Sequence, residues 1–340
     1  MLTSEYSSAE FRARFAGQVR QQDLLVQRYL PQIEEEGEIS FVFLGGLYSH
    51  AVRKTPRAGD FRVQPQFGST IGPATPSDEA MAVAARFYRD QLKPARQAID
   101  YLKRRGLSGQ VAARFELGYA PDEWQGLQKA FPDYQAKSLA DAGLVIDNDQ
   151  GRRYDRFRNR IIFPIHDRRG RIIAFGGRVL DKGEPKYLNS PETPLFEKGR
   201  ELYGLFLAQK AIRDAGFVVV VEGYMDVVAL FQHGVDTAVA TLGTATTPDH
   251  AELLFRNAAD VYFCFDGDRA GRGAAWKALE SVLPRMRDGR QAFFLFLPEG
   301  EDPDSIVRKE GAAGFDARLA QATPLSEFFF NELSKDVNLA

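Results

Sequence analysis

Residues 261–273 read VYFCFDGDRAGRG. Five apolar residues run without a break into Asp266, Gly267 and Asp268. An unbroken β-branched and aromatic run of this length is the pattern of a strand buried on both faces. It predicts a parallel sheet, with the two aspartates at the strand's carboxyl end. Carboxylates one residue apart repel, so they need a cation, an arginine or open water beside them.

The flanking sequence repeats the pattern. FVVVVEG (217–223) is a second buried strand, and YMDVVALFQHGV (224–235) is a helix. TAVATLG (237–243) is a strand, and Thr247-Pro248 opens the helix DHAELLFRNA;. AGRGAAWKALESVL (270–283) is a helix and QAFFLFLPEG (291–300) a strand. Strand and helix alternating from Ala208 predict a doubly wound sheet with helices on both faces. Sites in such sheets lie beyond the carboxyl ends of the strands. Glu222 follows one strand, Asp266 and Asp268 follow another, and Asp302 and Asp304 follow the third. Asp226 lies one helical turn past Glu222 and can face the same rim;. Acidic groups converging without histidine or cysteine predict a hard-ion site for Mg²⁺ or Mn²⁺, of the kind that serves phosphoryl chemistry. Gly223 and Gly267 let backbone approach it closely.

Upstream, helices are expected from about Asp78 to Leu92, from Pro94 to Gly106, and after Ser108;. RIIFPIHDRRGRIIAFGGRVL (160–180) is a strand pair around the turn Asp167–Gly170. Between Gly151 and Arg200 there are 13 Lys and Arg against 6 Asp and Glu, about +7 in a chain of net charge -2. Arginines there alternate with aromatics and glycines, a mixture suited to phosphate contacts and stacked bases. Nearer the start, residues 1–30 have a helical period, ISFVFLGGLYSHAVRK (39–54) reads as a hairpin around Gly45-Gly46, and 55–78 reads as loop;.

The 340 residues and 44% apolar content allow two or three domains;. The single cysteine, Cys264, excludes an internal disulfide, and four scattered histidines leave no zinc cluster;. Cys264 is expected in the core, Trp276 against the sheet, and His233 and His250 on helix surfaces. His166 precedes a turn and is not expected to be a ligand. No apolar run approaches the ~20 residues of a membrane span, so a soluble, cytoplasmic protein is expected.

VVVEGYMDVVAL, ATLGTATT, FCFDGDRAGRGAAWKAL and PEGEDPDSIVRKEG resemble the TOPRIM domain of bacterial DNA primases, the DnaG family. YLKRRGLS, FELGYAP, YDRFRNRIIFPIHDRRGRIIAFGGRVL, PKYLNSPETPLFEKGRELYGL and ATPLSEFFFNEL extend the resemblance from about Phe87 to the end. It implies a mixed α+β basic subdomain followed by a TOPRIM sheet, and synthesis of RNA primers from ribonucleoside triphosphates on single-stranded DNA. It implies Glu222, Asp266 and Asp268 as catalytic, and Glu222, Asp266, Asp268, Asp302, Asp304 and Asp226 as metal ligands. Arg156, Arg158, Arg178, Lys186, Tyr187, Asn189 and Lys198 would then hold template and nucleotide.

The implied division is 1–78, 79–207 for the basic subdomain, 208–320 for TOPRIM, and 321–340 for the start of a helical subdomain. Residues 1–78 resemble a fragment of an ATP-grasp ligase, too short for that whole domain, and no ligase activity is expected of them. The zinc-binding domain with which the family begins has no counterpart here. Neither has the domain that docks on the replicative helicase, so that contact is expected to be missing. Two other readings are a nucleic-acid-binding fragment without catalysis and another TOPRIM enzyme, a topoisomerase or nuclease.

Overall fold

The computed structural model describes residues 77–334 except 181, 182 and 244, together with 38–44, 47–57, 62, 66 and 68–74. Contacts divide the chain into two units, Met1–Pro76 and Ser77–Ala340. The expected helical period of residues 1–30 lies outside the described residues.

In the first unit, β1 (Glu38–Leu44) pairs antiparallel with β2 (Leu47–Thr55), the hairpin expected around positions 45 and 46. The expectation of loop over 55–78 is corrected. β3 (Thr70–Ala74) pairs with the end of β2 and completes a three-stranded sheet. Gly72 and Pro73 hide it in the sequence, and an edge strand is where a sheet tolerates such residues.

The second unit opens with helices α1 (Ser77–Leu92), α2 (Arg96–Arg104) and α3 (Gly109–Arg114). Pro94 stands in the turn before α2 rather than at its first residue. Ser108 caps α3 as its residue type predicts, its hydroxyl accepting from the Val111 N–H;. Strand β4 (Gly118–Ala120), helix α4 (Lys137–Asp141) and the short ribbon of β5 (Val145–Asp147) with β6 (Arg153–Asp155) follow. Then come β7 (Arg160–His166), β8 (Ile172–Val179) and β9 (Tyr187–Asn189). The order β4-β7-β8-β9 is antiparallel throughout, with the expected turn at Asp167–Gly170.

The remaining elements alternate. They are α5 (Leu205–Ala215), β10 (Phe217–Val221), α6 (Tyr224–Gln232), β11 (Ala238–Ala240), α7 (Pro248–Asn257) and β12 (Asp260–Phe265). After them come α8 (Arg269–Val282), β13 (Gln291–Phe296), α9 (Pro303–Leu319), β14 (Thr323–Pro324) and α10 (Leu325–Ser334). The sheet order is β11-β10-β12-β13-β14; the first four strands are parallel and β14 is antiparallel to β13. Val218 to Val221 are all buried because helices cover both faces of the sheet;. Each such valine contributes roughly 1.5–3 kcal/mol relative to exposure.

One apolar cluster spans both sheets. Phe163 and Ile165 of the antiparallel sheet pack in the same core as Val219, Val221, Tyr224 and Val307 of the parallel unit. The carboxyl end of β10 is thereby held, through Tyr224, against β8 and β9.

Candidate active site: an acidic rim against a basic sheet

Glu222 leaves β10 at the exposed rim. The neighbouring strand β12 ends beside it, just before Asp266. Burial of the inner side of Glu222, then the charges of Asp266 and Asp268, push its pKa up;. Asp266 is raised in the same way, by burial first and then by Asp302 and Asp268. Asp226 stands on the first turn of α6. Burial, with Asp302, Asp266 and Asp304 around it, pushes its carboxyl up to about 8. These groups therefore sense one another across three strand ends. Among the described residues no lysine or arginine forms an ion pair with Glu222, Asp226, Asp266, Asp268 or Asp302.

Asp268 and Asp302 each do a second task. Asp268 Oδ1 caps α8 by accepting from Gly271 N–H at 2.7 Å, and Asp302 Oδ1 caps α9 by accepting from Ser305 N–H at 2.7 Å. Each keeps its other oxygen out of the cap. The helix N-termini lower the cost of gathering negative charge at this edge. Gly267 is required between the aspartates because a Cβ there would lie 2.0 Å from the carbonyl oxygen of Leu297.

Asp304 departs from the expectation of an open ligand. Its side chain is wholly buried, with Arg105 Nη2 at 3.1 Å from Oδ2 and Arg308 Nε at 2.9 Å from Oδ1. Oδ1 nevertheless has no hydrogen-bond partner, nor has Arg105 Nε. Two guanidinium groups already neutralise this carboxylate, which leaves it a structural anchor linking α2 to α9.

The basic side of the cleft is more tied down than its composition suggests. Arg156 gives Nε and Nη2 to the carbonyl of Asn189, at 3.0 and 2.7 Å. Arg178 is buried, donates from Nε to the Tyr187 hydroxyl at 2.9 Å, and lies over the rings of Tyr101 and Tyr187. Arg158 donates to the Asp155 carbonyl and stacks over Trp124 at 4.2 Å. Lys186 is exposed beside Tyr187. Lys198 lies further along, where its N–H donates to Glu192. Asn189 spans the two halves: its amide nitrogen donates to Leu242 O at 2.8 Å and its oxygen accepts from the Tyr224 hydroxyl. Tyr224 is the residue after Glu222-Gly223, so strand β9 and the acidic rim meet through one hydrogen bond. Its ring fills the space over Gly176, where a Cβ would lie 2.5 Å from Cε2.

One other residue corrects its expected place. His250 is fully buried, not on a helix surface. Its Nδ1 accepts from Thr247 N–H in the capping box of α7, so Nε2 carries the proton and donates to the carbonyls of Lys198 and Glu201, both at 3.0 Å;. Trp276 packs against the apolar cluster of the parallel sheet, as expected, stacks on Phe329 of α10 and donates to Glu280. Cys264 is buried in β12, as expected.

Comparison with known proteins accounts for both halves. Residues 87–209 match the family described as DNA primase catalytic core, N-terminal domain, and residues 219–307 match the Toprim-like family. A crystal structure of a DNA primase domain from Pseudomonas aeruginosa is 57% identical, with a TM-score of 0.75, and the match covers 77% of this chain and 84% of that one. The chain belongs to the DnaG family of DNA primases.

The structure of the DnaG primase catalytic domain bound to ssDNA is 55% identical, with a TM-score of 0.74, over 77% of this chain and 86% of that one. The DNA primases of Pseudomonas aeruginosa and Escherichia coli K12 are 56% identical over 279 residues and 57% identical over 259. Those matches cover 79% and 75% of this chain but 42% and 44% of the relatives, so the chain spans less than half the length of these DnaG proteins.

The Toprim domain of DnaG primases is a metal-binding fold, and the residues present fit a divalent cation. Apart from Asp304, the acidic groups lack cationic partners among the described residues and supply only oxygen, and the pKa values of Glu222, Asp226 and Asp266 are raised by burial and by their acidic neighbours. Among the described residues no three of them close into a ready-made cage. Among the described residues no helix is long and apolar enough to cross a membrane.

Proposed function

We propose that this chain is the RNA-polymerising core of a primase, making short RNA primers from ribonucleoside triphosphates along single-stranded DNA. The observation that carries this reading is the hydrogen bond from Tyr224 to Asn189, which sets the unneutralised acidic rim directly beside the basic strands. We assign the basic subdomain to 79–207, the TOPRIM unit to 208–320 and the start of a helical subdomain to 321–340.

In the proposed reaction the 3′-oxygen of the primer bonds to the α-phosphorus of the incoming nucleotide. The bond between that phosphorus and the β-bridging oxygen breaks, and pyrophosphate leaves with its electron pair. Glu222, with its raised pKa at the exposed rim, is suited to take the hydroxyl proton. Mg²⁺ or Mn²⁺, held by Glu222, Asp266, Asp268, Asp302 and Asp226, would lower the hydroxyl's pKa and neutralise the leaving phosphates. Asp304 serves from behind, its side chain tied to Arg105 and Arg308. Lys186, Lys198, Arg158 and the Arg178–Tyr187 stack would hold phosphates and bases, and Arg156 sets Asn189.

The test is incubation with single-stranded DNA, four ribonucleoside triphosphates and Mg²⁺ or Mn²⁺, beside an Asp266→Ala control. RNA made only by the unmutated chain upholds the reading. Metal-dependent cutting or relaxation of DNA would move the protein to another TOPRIM chemistry, and DNA binding without RNA would make it a binding fragment.

A further inference from the structure

Beside Glu222, on the side away from Asp226, the molecule has a cavity of about 460 Å³. Its floor is the carboxyl end of the parallel sheet, Val220, Val221, Phe263 and Phe265, and one wall is the segment after β11, with Thr241 and Thr246. The opposite wall is a single face of α8, on which Arg269, Gly273 and Lys277 recur at four-residue spacing;. Both cations are exposed and, among the described residues, neither has an ion pair or a side-chain hydrogen bond. A Cβ on Gly273 would meet nothing within 4 Å, so the face is open between them. Elsewhere on the surface cations are commonly paired, as Lys210 is with Asp214 and Lys129 with Glu123.

We propose that this cavity is a polyphosphate subsite in which Arg269 and Lys277 receive the terminal phosphates of a nucleotide, or the pyrophosphate split from it. Resting on the polymerase reading, it assigns the end of the site that the basic sheet does not reach. A cavity with an acidic group at one end and two unpaired cations at the other is matched by a metal-bound polyphosphate, cation toward Glu222 and terminal charge toward α8. The open spine at Gly273 leaves room for the phosphates to lie along the helix. Arg269 and Lys277 are on this reading binding residues for the phosphates distant from the bond that forms.

The experiment measures binding of pyrophosphate with Mn²⁺ by calorimetry in the full chain and in the variants Arg269→Gln, Lys277→Gln and Gly273→Leu. Mn²⁺ alone and a thymidine oligonucleotide are titrated in parallel. Losing one charged phosphate contact weakens binding by about 10- to 100-fold. Each Gln variant should lose that much affinity for pyrophosphate, Lys277→Arg should retain it, and Mn²⁺ and oligonucleotide binding should stay as in the parent. Gly273→Leu replaces a helix-weakening residue with a good helix former; it should block pyrophosphate while keeping or raising the melting temperature. Pyrophosphate affinity unchanged in both Gln variants would overturn the proposal, and so would a loss confined to the oligonucleotide, which would make these residues contacts for the nucleic-acid backbone. A parent chain that binds pyrophosphate through this cavity yet makes no RNA would sink the polymerase reading and leave the subsite standing.

Discussion

The Tyr224 hydroxyl donates to the side-chain oxygen of Asn189, joining the first turn after Glu222 to the last strand of the antiparallel sheet. The Tyr224 ring is itself clamped, stacked on Phe163 at 5.4 Å and edge-on to Tyr203 at 4.8 Å, above Gly176. Tyr224→Phe should keep the ring in place and cost about 0.5–1.5 kcal/mol for the lost hydrogen bond. Gly176→Ala forces a methyl into the ring and should cost about 1–3 kcal/mol. Because Tyr224 lies two residues after Glu222, displacing its ring should lower the proposed RNA synthesis further in the glycine variant than in the phenylalanine variant, at a temperature where both are folded. Equal activity in the two would refute this coupling.

At the proposed metal site, Asp226 would make cation binding a proton exchange. With its carboxyl pushed up to about 8, it is largely protonated at neutral pH without metal, and a cation must displace that proton;. Apparent Mn²⁺ affinity should therefore rise between pH 7 and 9, and Asp226→Asn should flatten the rise. The sign for stability is the reverse. The unfolded carboxyl titrates near 3.9, so between about pH 4 and 8 the folded chain binds the extra proton. Metal-free stability should fall as pH rises through that window, and calorimetric melts with chelator present check it.

Asp266→Ala relieves like charge at a rim that lacks cationic partners. The metal-free variant should be more stable than the parent by about 1 kcal/mol while making no RNA, the exchange of stability for function expected at a strained site. Adding Mn²⁺ should raise the parent's melting temperature and leave the variant's nearly unchanged. A variant that melts below the parent in chelator would contradict the electrostatic account.

Arg105→Ala leaves Asp304 buried with Arg308 alone. Removing one partner of a buried ion pair is severe, and a loss of roughly 2–4 kcal/mol is expected. Arg105→Ala combined with Asp304→Asn should recover part of it, because the orphaned charge is gone. A double-mutant cycle on thermal unfolding measures the coupling.

The parallel unit was legible because its signals are local. FVVVV and VYFCF are uniform runs, and the acids at their ends follow directly from strand topology. Gly267 was legible as a close approach, although the Leu297 carbonyl that requires it could not be named. What stayed hidden depends on partners distant in sequence. Nothing near Asp304 announces Arg105, so a carboxylate neutralised from behind looked like one open to metal. His250 looked like a surface residue because the two carbonyls that take its proton come from the Lys198–Glu201 loop. Arg156 looked like a phosphate ligand, whereas its fork is spent on the Asn189 carbonyl. Strand β3 failed for a different reason: glycine and proline at a sheet edge carry the composition of a loop.

The core shared by Phe163, Ile165, Val219, Tyr224 and Val307 has a mechanical consequence. Swinging one sheet away from the other would tear apolar surface out of contact, so the cleft has walls but no jaw. On the proposed reading, a template threaded between them would advance by its own sliding past an acidic edge that stays still.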